Sequence, residues 1–175
     1  CHVITSNGSL LFRQSKKTPY EDENGAKENL SKRDNIINII DVNGFGRIAT
    51  LICRDAMNAN IESLIRDLKV GLVIITAYSP SLEMKSIAED LAKRNHCFTI
   101  MCNSCAALKR FDDKTSRIGY ITFPAKEQTN ATARTYFYSN DNNKCDKCEM
   151  CGGIFVTIKY DNIVVSEEYT GMTMM

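Results

Sequence analysis

The chain has no tryptophan, only two histidines and almost no charge imbalance: 22 Lys and Arg stand against 21 Asp and Glu, a formal net charge of +1. Nucleic-acid binding draws on a basic excess or a basic run, and neither is present, so charge points to no such partner. No apolar run approaches the roughly 18 residues that a membrane-spanning helix needs, and no secretory signal pattern opens the chain. Internal repeats and low-complexity linkers are also missing, so the expectation is a single domain over residues 1–175. A chain of this length buries roughly two-thirds or more of its unfolded surface. Because it begins at Cys1 rather than Met, the expectation is a piece of a longer polypeptide.

Cysteine, by contrast, is abundant, with 8 in 175 residues. In a chain that is neither short nor marked for secretion, that count favours a reducing, cytoplasmic setting with catalytic or metal-bound thiols over a disulfide framework.

The stretch from Gly46 to Pro80 organises the rest. Ile48-Ala49-Thr50-Leu51-Ile52 is a short apolar, β-branched run that ends on Cys53 and gives way to Arg54-Asp55. Ile61, Leu64, Ile65 and Leu68 then recur at the spacing of one buried helix face, with Asn58 or Asn60 as N-cap and Gly71 as the stop. Leu72-Val73-Ile74-Ile75 follows as a buried parallel strand, which completes a β-α-β unit.

Cys53 therefore falls where a strand turns into a helix. Free N–H groups and the positive dipole end at such a turn favour a thiolate and can hold an oxyanion. The competing reading is a small hydrophobe that finishes a buried strand.

Upstream, Ser6-Asn7-Gly8-Ser9 sits between Val3-Ile4-Thr5 and Leu10-Leu11-Phe12, a hairpin signal, and Arg13-Gln14-Ser15-Lys16-Lys17-Thr18-Pro19-Tyr20 follows it. Glu21 to Asp34 reads as an exposed polar loop. Ile36 to Val42 and Arg47 to Ile52, joined by Asn43-Gly44-Phe45-Gly46, form a second hairpin that delivers Cys53. Downstream, Leu82 to Arg94 has helical periodicity with Ser81 as N-cap, and Phe98-Thr99-Ile100-Met101 leads as a strand into Cys102-Asn103. Strands are also expected at Ile118 to Phe123 and in a last hairpin from Ile154 to Tyr160 and Ile163 to Val165. His96 reads as a structural or exposed residue.

Taken in order, Gly46, Ile52, Cys53, Arg54, Asp55, the Ala77-Tyr78-Ser79-Pro80 loop and the strand ending in Asn103 resemble the nucleophile region of the nitrilase or carbon–nitrogen hydrolase superfamily. The departure is Met57-Asn58-Ala59-Asn60, where many members carry Pro-Glu. The resemblance implies an α/β fold, a nitrilase-like α-β-β-α sandwich incomplete at its N-terminus. It also implies Cys53 as nucleophile, Lys17 in preference to Lys16 as catalytic lysine, and oxyanion or turn support from Arg54 and Asp55. A second carboxylate is expected from Glu21, Glu23 or Glu28, and a substrate rim from Tyr78, Ser79 and Asn103. The general-base glutamate of the family lies upstream of the lysine, ahead of where this chain begins.

The implied activity is hydrolysis of a small non-peptide amide or related C–N bond through a thioester, with no cofactor required. Homo-oligomerisation or fusion to another domain is expected, without nucleic-acid or membrane binding. The alternative is a catalytically silent interaction or oligomerisation module. Cys145, Cys148 and Cys151, in the cysteine-rich loop at 140–153, bear on it. Their C-x-x-C-x-x-C spacing lets thiolates share a structural zinc, with Cys102, Cys105 or His96 as fourth ligand; a redox pair or an unliganded loop are the other readings.

Overall fold

The computed structural model describes residues 1–30, 34–104, 107, 117–124, 135–139, 153–159 and 162–169. The architecture is mixed α/β. The chain begins with the antiparallel hairpin β1 (His2–Ile4) and β2 (Leu10–Arg13). A second hairpin, β3 (Ile39–Val42) and β4 (Gly46–Ile52), turns through Gly44 at φ 75° and Gly46 at φ 106°. Positive φ at both positions is the conformation that a side chain resists, which accounts for the paired glycines.

A single 3₁₀ turn, Cys53–Met57, leads to helix α1 (Ala59–Asp67), strand β5 (Val70–Ala77), helix α2 (Ser81–Asn95) and strand β6 (Phe98–Asn103). β7 (Arg117–Thr122) and β8 (Thr135–Ser139) complete a six-stranded sheet in the order β3-β4-β5-β6-β7-β8. Its centre, β4-β5-β6, is parallel and its flanks are antiparallel. β9 (Gly153–Lys159) and β10 (Asn162–Tyr169) pair as a separate hairpin. The sequence reading did not anticipate β8 and ended β10 four residues early, at Val165.

Alternation along the central strands sends Ala49, Leu51, Val73, Ile75, Met101 and Tyr120 to one face. There they pack with Ile61 and Ile65 of α1 and with Met84, Ala88 and Leu91 of α2, and all of these are buried. Each buried Val, Leu, Ile or Met side chain among them contributes on the order of 1.5–3 kcal/mol of burial free energy. Ile48, Ile52, Ile74 and Ile100 fall on the opposite face and are half-buried.

Two helix boundaries differ from expectation. α1 is capped by Asn58, whose side chain accepts the N–H of Asn60 at 3.0 Å and of Ile61 at 3.3 Å. Its stop is not Gly71, which lies inside β5, but Lys69, held at φ 51°. The turn from helix to strand needs one left-handed residue and takes it before the strand begins. At the start of α2, Pro80 rather than Ser81 occupies the cap position, and no side chain caps it. Proline's fixed φ suits helix entry, and it has no N–H to leave unpaired.

Candidate functional site

β4 carries Cys53 to the carboxyl end of the sheet, the end at which ligands lodge in open α/β sheets. The cysteine has a left-handed backbone, φ 52°, at the junction between the strand and the 3₁₀ turn. An L-residue pays roughly 1–2 kcal/mol for that conformation. Such strain is retained where the surroundings over-determine it. Cys53 is 7% exposed and lines a cleft of about 1180 Å³. Its lining combines Ile52, Cys53, Thr76, Ala77 and Tyr78, from the ends of β4 and β5, with Lys16, Tyr20 and residues of the loop from Asp22 to Glu28.

The turn after Cys53 binds the lysine segment through consecutive residues. The Arg54 guanidinium stacks 5.0 Å from the centre of the Tyr20 ring. Asp55 is fully buried, and its Oδ1 accepts the backbone N–H of Lys17 at 2.9 Å and of Thr18 at 2.7 Å. Its Oδ2 accepts the Ile52 N–H at 3.4 Å. Asn58 Nδ2 donates to Thr18 Oγ1 at 3.1 Å. The Cys53 turn and the lysine segment thus form one hydrogen-bonded unit.

Within that unit the two lysines part. Lys16 lines the cleft and pairs with Glu28. Lys17, expected to be the site lysine, is directed instead to Ser15 Oγ at 2.8 Å and to the carbonyl and carboxylate of Asp34. The physical reason is alternation: Ser15 and Lys17, two residues apart, share the Asp34 partner, and Lys16 between them faces the other way. Behind this segment Gln14, 1% exposed, holds Asn38 N–H at 2.9 Å through its Oε1 and donates to the Ile36 carbonyl at 3.1 Å.

Of the three candidate carboxylates, Glu23 and Glu28 line the cleft, and Glu21 pairs with Lys27 at 3.3 Å. Burial raises the Glu28 carboxyl pKa, but hydrogen bonds from Lys16 and the Tyr20 N–H outweigh it, leaving the group below its ordinary value. Asp22 shapes this loop by accepting the N–H groups of Asn24 at 3.0 Å and Ala26 at 2.8 Å.

Tyr78 is half-exposed on the cleft wall. Ser79 and Asn103 stand behind it: Asn103 Nδ2 donates to the Ser79 carbonyl at 2.7 Å, and its Oδ1 accepts the Ser79 N–H at 3.3 Å. Ser79 Oγ lies 3.5 Å from Cys53 Sγ.

Neither Lys16 nor the Ser79 contact was singled out from the sequence; the phase of side chains along Arg13 to Lys17 would have been the signal for the first. Cys145, Cys148, Cys151 and Cys105 lie outside the described residues. Among the described residues no group of three or more His, Cys, Asp or Glu is arranged to hold a metal ion. His96, the left-handed residue closing α2, is exposed. No described helix is long and apolar enough to cross a membrane.

No protein-family model matches the sequence, and no curated protein matches it. Among solved structures the chain is similar to glutamine-dependent NAD+ synthetase from Acinetobacter baumannii, at 18% identity and a TM-score of 0.46 over 59% of this chain and 23% of that one. It is also similar to Saccharomyces cerevisiae Nit3, a member of branch 10 of the nitrilase superfamily, at 12% identity and a TM-score of 0.45 over 76% of this chain and 42% of that one. The chain therefore spans less than half the length of either structure.

Proposed function

We propose that this chain carries the nucleophile and lysine of a cysteine-dependent carbon–nitrogen hydrolase that acts on a small amide. The observation that carries the reading is Cys53, held left-handed at the end of β4 in the lining of a cleft that Lys16 also lines. The Cys53 thiolate attacks the amide carbon, the C–N bond breaks, and an amine or ammonia leaves a thioester on Sγ for water to resolve. The Lys16 ammonium stabilises the oxygen anion that develops on the way, and Glu28 keeps that ammonium oriented. Asp55 ties the Cys53 turn to the lysine segment. The leaving nitrogen needs a proton, which a carboxylate base returns from the thiol; the family resemblance assigns that base to an upstream glutamate.

The test is acyl transfer from p-nitrophenyl acetate, followed by peptide mass spectrometry. Acetylation should map to Cys53, be cleared by hydroxylamine and disappear in Cys53→Ala and Lys16→Met. Labelling spread over the exposed cysteines, or none at Cys53, would replace this reading with a silent module.

A further inference from the structure

We infer that Ser79 is a positioning residue for the Cys53 thiol, and that Asn103 acts through it. The inference rests on Cys53 being the reactive thiol. Ser79 Oγ and Cys53 Sγ stand 3.5 Å apart between residues 26 positions apart in sequence, and both side chains are nearly excluded from solvent. In the thiol form either group can donate. Once the thiol proton has left, the sulfur has none to give, so the Ser79 hydroxyl is the donor of the pair and its hydrogen points at the anionic sulfur. A donor aimed at the charged form favours that form.

The hydroxyl is aimed because its backbone is held. Asn103, the last residue of β6, grips Ser79 by both its N–H and its carbonyl. The same Asn103 Oδ1 accepts the Ser104 N–H at 3.0 Å, which fixes the amide itself, and Ser104 N–H reaches the Ala77 carbonyl at 3.3 Å. Ala77 and Asn103 are register partners in neighbouring strands, so the clamp is anchored at the sheet's own carboxyl edge. Ser79 and Asn103 thus serve the sulfur from behind the cleft wall.

The experiment is iodoacetamide labelling of the full chain, read cysteine by cysteine across pH, for wild type, Ser79→Ala, Ser79→Thr and Asn103→Ala. Near pH 7, Ser79→Ala should slow Cys53 labelling roughly three- to tenfold, the worth of one hydrogen bond. Near pH 10, above the ordinary range of a cysteine thiol, the rates should converge. Ser79→Thr should retain the wild-type profile, and Asn103→Ala should follow Ser79→Ala. Cys97, fully buried, reports folding in every variant, because it labels only when the core opens. Equal rates for wild type and Ser79→Ala near pH 7, with Cys97 protected, overturn the inference. A slowing that persists near pH 10 also overturns it, since that indicates access rather than ionisation. A wild-type Cys53 that labels no faster than Cys97 removes the functional reading itself, a different result from the other two.

Discussion

Asp55 Oδ1 accepts the backbone N–H of Thr18 at 2.7 Å across 37 positions of sequence, and of the neighbouring Lys17 at 2.9 Å. A fully buried carboxylate two residues after Cys53 thus serves as the anchor of the segment that supplies the cleft's lysine. Replacing it with alanine orphans both donors, at about 1–3 kcal/mol each. Asp55→Ala should therefore lower the urea midpoint sharply and expose Lys16 to amine-reactive labels, whereas Asp55→Asn, which keeps one acceptor oxygen, should lose less.

Lys16 and Lys17 should separate cleanly by substitution. Lys16→Met should slow acyl transfer to Cys53 by roughly a hundredfold or more, the scale of losing one oxyanion-stabilising group. Lys17→Met should leave that rate within a few-fold and loosen the Asp34 attachment. Stopped-flow release of p-nitrophenol measures both, and the reverse order would return the role to Lys17.

Acid should release the loop at Asp34. The Lys17 ammonium, with Ser15 assisting, holds the Asp34 carboxyl at about 2, below its ordinary 3.8. A depressed carboxylate pKa contributes stability that is complete above the unfolded value and fades as pH falls from 3.8 toward 2. Over that window, limited proteolysis near residues 15–34 should rise in wild type and start higher but rise less in Asp34→Asn, where the Lys16–Glu28 pair is left to titrate.

Cys97 should behave as an inert thiol. Burial pushes it up to about 12, so it should resist iodoacetamide near pH 8 while exposed Cys1 reacts. Mass spectrometry of the native and urea-unfolded chain distinguishes the two.

Lys69 and His96 close helices with φ 51° and gain nothing chemical from it. Lys69→Gly should raise stability by about 1 kcal/mol in urea titration, the relief of one left-handed L-residue. The same change at Cys53 would remove the thiol that its conformation presents.

Periodicity made the β-α-β core legible. Ile61 and Ile65 announced the inner face of α1, although Leu64 of the same expected stripe is only half-buried and Leu68 lies exposed past the end of the helix; Met84, Ala88 and Leu91 announced that of α2, and the β-branched runs announced β4 to β6. A cap at Asn58 or Asn60 was readable because a short amide side chain ahead of a helical pattern can accept the free N–H groups of the first turn; the structure takes Asn58. Lys69 was not readable, since the side chain of a left-handed lysine leaves no mark in composition, and Gly71 nearby offered a more conventional stop. β8 escaped because Tyr136-Phe137-Tyr138, though β-favouring and followed by the turn residues Ser139-Asn140-Asp141, is too short for an alternation of period two to show. At the site, the place of Cys53 at a strand-to-helix turn was legible from the pattern and a chemical role only from the resemblance, while the choice between adjacent lysines depends on which face a two-residue alternation starts on. That phase is set by Gln14 and Asp34, which lie apart from the cysteine in sequence.

The candidate site comes off the ends of three neighbouring parallel strands: Cys53 after β4, Ser79 two residues past β5, Asn103 closing β6. Loops can lengthen or shorten without disturbing that line, but a single residue gained or lost within β5 inverts every side chain beyond it and carries Ser79 out of step with both partners. The sheet therefore acts as a vernier: the site is in focus only at one alignment of three strands, which makes Cys53 reactivity a direct reporter of strand register during refolding.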